Sequence, residues 1–113
     1  MKFFDETQGE WFRQALEKEV LKWPGVTARP MMGCLCYFYK NSFFAFLVTD
    51  GIVITKLGKV ERAALSPLVE KGQPQLGGKA LPKTWVKVRL SKAGDVKSVM
   101  PFVRSSYVNA TKR

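Results

Sequence analysis

Three apolar segments that follow one another with only two-residue breaks restrict the fold of this chain more than any other feature. The segments span residues 34–39, 42–49 and 52–57, separated by Lys40-Asn41 and by Asp50-Gly51. Asn and Asp-Gly tolerate the positive φ angles that two-residue hairpin turns require. The pattern therefore predicts a three-stranded antiparallel meander, preceded by a short extended segment over 26–30.

Strict alternation along this meander divides its side chains between two faces, and both faces are apolar. One face is predicted to contain Cys34, Cys36, Phe38, Phe43, Ala45, Leu47, Ile52 and Ile54. The other is predicted to contain Leu35, Tyr37, Tyr39, Phe44, Phe46, Val48 and Val53. Because the two cysteines and Ala45 are small, we expect helices to pack on the first face. The tyrosine face is then partly open, or covered by a second copy of the chain.

Helical spacing of apolar residues predicts helices on both sides of the meander in sequence. Thr7 and Glu10 fit a capping box at the start of a first helix, which Pro24-Gly25 ends. A second helix is predicted over 60–69, where Pro67 either bends it or starts a new turn. Both helices would cover a sheet rather than stand alone.

The rest of the chain predicts a loop, a strand and a last helix. These are residues 71–83, residues 85–90 and the segment that begins at Asp95 and contains Pro101. The order α-β-β-β-α-β-α predicts a two-layer α+β fold, with an antiparallel sheet of about five strands and helices on one face. We expect one domain over 1–108 and a basic tail over 109–113.

Positive charge is concentrated in the last part of the chain. Lys and Arg number 19 against nine Asp and Glu, and residues 71–113 contain ten bases and one acid. This asymmetry favours a polyanionic partner, nucleic acid above all. The alternative is a basic surface that only keeps a small protein soluble.

The sequence predicts a cytoplasmic protein without membrane contact. No apolar run approaches the ~20 residues that a membrane span needs. Acidic residues near the N-terminus occupy the place where a secretory signal is apolar. Two cysteines at i and i+2 of a strand do not form an ordinary disulfide, so reduced thiols are expected.

The residue types needed for common catalytic sites are missing or scattered. The chain has no histidine, so a serine or cysteine nucleophile would lack its usual base. Gly77-Gly78 does not have the pattern of a phosphate-binding loop. We therefore expect no enzymatic activity and no cofactor.

The sulfur-rich segment Met31–Cys36 has two interpretations. Thiolate and thioether ligands suit Cu(I), so Cys34 and Cys36 could form a metal or redox site. Buried cysteine also behaves as a small hydrophobic residue and methionine as a core filler. The second interpretation is favoured, because two cysteines without histidine leave a tetrahedral site half filled.

Alternation in the last strand places Trp85, Lys87 and Arg89 on one side. An aromatic residue beside two bases on a sheet is typical of surfaces that stack a nucleobase and hold its phosphate. If the tyrosine face lies on the same side, these residues join Tyr37 and Tyr39 in one aromatic-basic surface. The alternatives are an ordinary solvated strand or a dimer interface.

Several short motifs resemble the TfoX N-terminal domain family. They are VTARPMMG at 26–33, the hairpin over 37–45, Asp50-Gly51, and MPFV at 100–103 with a helix that ends near Tyr107. The family opens with a helix and an Arg-x-Met-Phe-Gly-Gly-like entry into an antiparallel meander. In this chain Met32 replaces the usual Phe, and Cys34 replaces the second Gly.

The resemblance implies a two-layer domain similar to the secretion-chaperone-like and YjbR-like folds, linked to regulation of competence and transcription. It brings no catalytic residues with it. The leading prediction is thus a non-enzymatic regulatory or binding module, with a protein partner or a homodimer through apolar sheet surface. Direct nucleic-acid binding by the aromatic-basic surface is the first alternative, and a Cu(I) or redox site at the Cys-x-Cys is the second.

Overall fold

Five strands form one antiparallel sheet, in which the first four follow one another in chain order and the last strand of the chain lies beside the fourth. A computed structural model of the chain describes residues 4, 6–31, 33–69, 75–76, 79–82 and 84–112. The strands are β1 (Val26–Met31), β2 (Cys34–Tyr39), β3 (Ser42–Val48), β4 (Gly51–Ile54), β5 (Gln75–Leu76), β6 (Lys79–Ala80) and β7 (Val86–Arg89). The helices are α1 (Glu6–Val20), α2 (Lys59–Leu65) and α3 (Ala93–Thr111). The predicted α+β class with an antiparallel sheet is confirmed.

Several predicted boundaries differ from the observed ones. α1 begins at Glu6, so Thr7 lies inside the helix and not at the position before it. α2 ends at Leu65, and Pro67 lies in a 3-10 turn that follows it. The segment predicted to be a loop contains the short antiparallel pair β5–β6. α3 runs through Pro101 to Thr111, so the tail predicted at 109–113 is helical as far as Thr111.

The two hairpins of the meander have different turns. Tyr39 pairs with Ser42, so Lys40-Asn41 is the predicted two-residue turn, and Lys40 has a φ of 55°. The second turn is Thr49-Asp50, one residue earlier than predicted, because Val48 already pairs with Gly51. On its other side Gly51 pairs with Arg89 of β7. A side chain at Gly51 would overlap the carbonyl of Val88. Glycine is needed there for close approach of β7.

One irregularity changes the orientation of β3 and β4 relative to β2. Tyr37 pairs with Ala45, but the next residue, Phe38, pairs with Phe43, so Phe44 is an extra residue in β3. Such a bulge reverses the face of every later side chain relative to an unbulged pairing. Phe44 and Ala45 both face the helices as a result.

The predicted division of the two sheet faces is therefore wrong. The face under the helices contains Leu35, Tyr37, Tyr39, Phe44, Ala45, Leu47, Ile52 and Ile54. The opposite face, called the outer face below, contains Cys34, Cys36, Phe38, Phe43, Phe46, Val48 and Val53. The helices thus pack on the tyrosine face, where the Tyr37 hydroxyl donates to Glu17 of α1 at 2.7 Å.

The outer face is also covered within the chain. Leu81 and Trp85 pack on it, and the Arg29 guanidinium lies 4.1 Å from the centre of the Phe38 ring. Cys34 and Cys36 are buried together with Phe46 and Val53, while Phe43 is half-buried. Among the described residues, helices cover the tyrosine face, so it is not the open surface that was expected for a homodimer. The homodimer itself stays a prediction.

Ser106 of α3 is a polar contact between the helix layer and the sheet. Its side chain is fully buried, and its hydroxyl donates to the carbonyl of Phe44 at 2.6 Å. The same oxygen accepts from the amide of Lys56 at 3.0 Å. Three turns earlier, Asp95 accepts from the amides of Ser91 and Lys92 at the start of α3. The Ser106 bonds hold α3 against the sheet, and the Asp95 bonds cap its first turn.

Replacing Ser106 with Ala is expected to lower the free energy of unfolding by about 2 kcal/mol, because its two hydrogen bonds to the backbone of Phe44 and Lys56 are lost. Urea unfolding followed by circular dichroism measures this change. Ser98→Ala, at an exposed position of the same helix, is the matched control and should stay within about 0.5 kcal/mol of the wild type. Equal stability of the two variants would contradict the role assigned to Ser106.

Candidate functional site

The two cysteines lie side by side on the outer face as buried, reduced thiols. Burial raises the pKa of each thiol to about 11. The Cys36 thiol faces the Met31 carbonyl, with 3.9 Å between sulfur and oxygen. Within the described residues, no group of three or more His, Cys, Asp or Glu is placed to hold a metal ion. Packing against Phe38, Phe46 and Val53 accounts for this Cys-x-Cys as part of the core.

The five residues predicted to form one aromatic-basic surface lie on opposite faces of the sheet. Tyr37 and Tyr39 face the helices, and Tyr37 is fully buried. Burial and the hydrogen bond to Glu17 raise the pKa of the Tyr37 phenol. Trp85 packs on the outer face. Lys87 pairs with Val53 across the strands and lies on that face as well.

The outer-face members of that set have partners inside the protein. The Trp85 ring packs edge-on against Phe43 and Phe46, with ring centres 5.6 and 5.8 Å apart. Asp50 in the second hairpin turn lies 3.1 Å from the Lys87 ammonium and 3.6 Å from the Arg89 guanidinium. One carboxylate thus partly neutralises both bases. The predicted nucleic-acid role of this strand stays a prediction.

A cavity of about 330 Å³ lies beside the start of α1. Its lining includes Glu10 and Arg13 together with Gly33 and Cys34. Arg13 forms ion pairs with both Glu10 and Glu17, the latter at 2.9 Å, so its charge is balanced. Both ion pairs lie within α1, and the Tyr37–Glu17 hydrogen bond attaches that helix to β2, which makes the cluster a structural contact.

A larger groove of about 830 Å³ runs between α1 and α3. Arg104 and Tyr107 of α3 lie beside Trp23, just after α1, while Ala93 and Val96 line the groove with Ala15 of α1. The two helices therefore run in opposite directions. We call this feature the α1–α3 groove.

Four basic side chains form the rim of the α1–α3 groove: Lys18, Lys22, Lys97 and Arg104. Glu19 is the one acidic residue in the lining. Lys18, Lys22, Lys97 and Arg104 are exposed, and among the described residues no carboxylate forms an ion pair with any of them. Their potentials therefore add at one place on the surface.

Arg104 is held in position by aromatic rings. Its guanidinium lies 5.1 Å from the centre of the Trp23 ring and 5.9 Å from that of Tyr107. The Tyr107 hydroxyl donates to the carbonyl of Pro24 at 2.7 Å, which fixes that ring. Stacking on aromatic faces leaves the N–H groups of a guanidinium free to bind carboxylate or phosphate.

Sequence reasoning missed this groove because its rim comes from opposite ends of the chain. Lys18 and Lys22 are four residues apart, and Lys97 and Arg104 are seven apart, so each pair lies along one side of a helix or its extension. That spacing was a signal in the sequence for two basic helix edges. Only the antiparallel packing of α1 on α3 brings the two pairs together.

Comparison with known proteins gave no match to a family model, to a curated protein or to a solved structure. The resemblance to the TfoX N-terminal domain family therefore stays a prediction based on short motifs. Among the described residues, no helix has the length and apolar character required to cross a membrane.

The thiols are expected to make stability fall at alkaline pH. Their folded pKa of about 11 lies above the value of an exposed thiol, so their contribution is complete below about pH 8.5 and is lost as pH rises toward 11. Urea unfolding at pH 8 and pH 10.5 measures the loss. The Cys34→Ala/Cys36→Ala variant should lose less stability over this interval, by on the order of 2 kcal/mol. Identical losses in both proteins would contradict the buried thiol assignment.

Proposed function

We propose that this chain is a non-enzymatic binding module that holds an anionic macromolecular partner in the α1–α3 groove. The observation that supports this most is the convergence of Lys18, Lys22, Lys97 and Arg104 around one groove without carboxylate partners among the described residues. Such a cluster attracts anions and speeds their association. A net charge of +10 strengthens the attraction over longer distances.

The groove supports this proposal better than the outer-face strand does. Lys87 and Arg89 share Asp50, and the Trp85 ring packs edge-on against two phenylalanine rings. An anion there would have to compete with a carboxylate already in place. The resemblance to the TfoX N-terminal domain family favours a regulatory use of the binding.

Neutralising two rim lysines is expected to weaken polyanion binding strongly. The readout is the slope of log Kd for a heparin oligosaccharide against the logarithm of the salt concentration. In the Lys18→Gln/Lys97→Gln variant this slope should fall by about two, because each lysine that contacts the polyanion contributes about one. Fluorescence titration between 50 and 300 mM NaCl measures the slope.

The matched control is Lys59→Gln/Lys112→Gln, which removes the same charge from exposed positions outside the groove lining. We expect its slope to stay close to the wild-type value. If both double variants weaken binding equally, only net charge matters, and the proposed location is wrong.

A further inference from the structure

The floor of the α1–α3 groove is apolar, which binding by charge alone does not require. Ala15 on α1 and Val96, Met100 and Pro101 on α3 line it. Ala15 and Met100 are half-buried and pack against the core, yet both still contribute to the groove surface. Phosphate groups gain nothing from aliphatic side chains, whereas apolar side chains of a partner gain by leaving water.

The aromatic residues beside the rim are not available to stack on nucleobases. Trp23 and Tyr107 each have 7% of their surface exposed, and Arg104 lies over both rings. Single-stranded nucleic acid is usually held by open aromatic faces next to basic residues. The combination of basic rim and buried rings therefore favours a protein ligand.

The apolar surface continues along α1 beyond the floor. Trp11 lies one turn before Ala15, on the same side of the helix, and is 40% exposed. Ala15 and Lys18 follow in sequence on that side, so an apolar stripe lies beside a basic edge. A partner that matches this surface has apolar side chains along one stripe and carboxylates beside it.

We infer that the partner is an acidic amphipathic helix of another protein, which packs its apolar stripe on Ala15 and Met100 and places its carboxylates against the basic rim. Helices bind to grooves through apolar residues at i, i+3 or i+4, and i+7. Charge complementarity selects the acidic helix, since Lys18 and Lys22 flank one side of the floor and Lys97 and Arg104 the other. This inference rests on the proposed function and specifies its ligand.

The test uses three fluorescent probes with the full chain. The first is an 18-residue peptide with Leu at i, i+3, i+4 and i+7 and Glu at the flanking positions. The second is a scrambled peptide of the same composition, and the third is a 20-base-pair DNA duplex. Each is titrated with the wild type, with the floor variant Met100→Gln, with the rim variant Lys18→Gln/Lys97→Gln and with its charge-matched control Lys59→Gln/Lys112→Gln.

We expect the amphipathic peptide to bind at least about tenfold more tightly than the scrambled peptide, as burial of a few apolar groups gives such a ratio. Met100→Gln should weaken only the amphipathic peptide, by about fivefold. A circular dichroism melt checks that Met100→Gln is folded at the temperature of the titration. If it is not, Ala93→Gln, at an exposed lining position of α3, replaces it.

The outcomes of this test distinguish a wrong ligand from a wrong binding site. If both peptides bind equally and the floor variant has no effect, the helical ligand is wrong while the anionic groove stands. If the DNA duplex binds more tightly than the amphipathic peptide and loses affinity in the rim variant, nucleic acid is the ligand and this inference is overturned. If the rim variant behaves like its charge-matched control with every probe, the proposed function is wrong as well.

Discussion

The apolar character of both faces of β2 and β3 is the constraint on which the rest of this structure depends. A sheet with two apolar faces must be covered twice, and this chain covers it with different elements. α1, α3 and Leu65 of α2 close one face, while Trp85 and Leu81 pack on the other. Because the sheet is buried on both sides, the broad faces of the sheet are not available for recognition, whereas the outside of the helices is exposed among the described residues. The candidate site therefore lies between α1 and α3.

Much of the fold could be predicted from local patterns. The strands of the meander, the Lys40-Asn41 turn and the alternation of β7 follow from polar breaks and period-2 spacing, which depend only on neighbouring residues. The faces could not be predicted, because one extra residue at Phe44 reverses all later side chains and leaves no turn residue as a signal. Because both faces are apolar, the sequence did not indicate which face lies under the helices, so the wrong assignment of side chains to the faces was not apparent.

The site could be predicted less well than the fold, for two physical reasons. The basic strand was recognised, but its neutralisation by Asp50 depends on how a hairpin turn meets the edge of β7. The α1–α3 groove forms between residues about 80 positions apart in the sequence. The periodicity of a single segment does not indicate which distant segment packs against it. The cysteines show the opposite case. Their assignment to the core is confirmed by burial, although they lie on the face away from the helices.

The central claim is that anions bind at the helix groove and not at the outer-face strand. Amide chemical-shift mapping of the ¹⁵N-labelled protein during titration with a heparin hexasaccharide tests it most directly. The account predicts shifts that cluster over residues 15–22 and 92–104, with little change over 85–90. Shifts concentrated at Trp85, Lys87 and Arg89 and absent from α1 would contradict it.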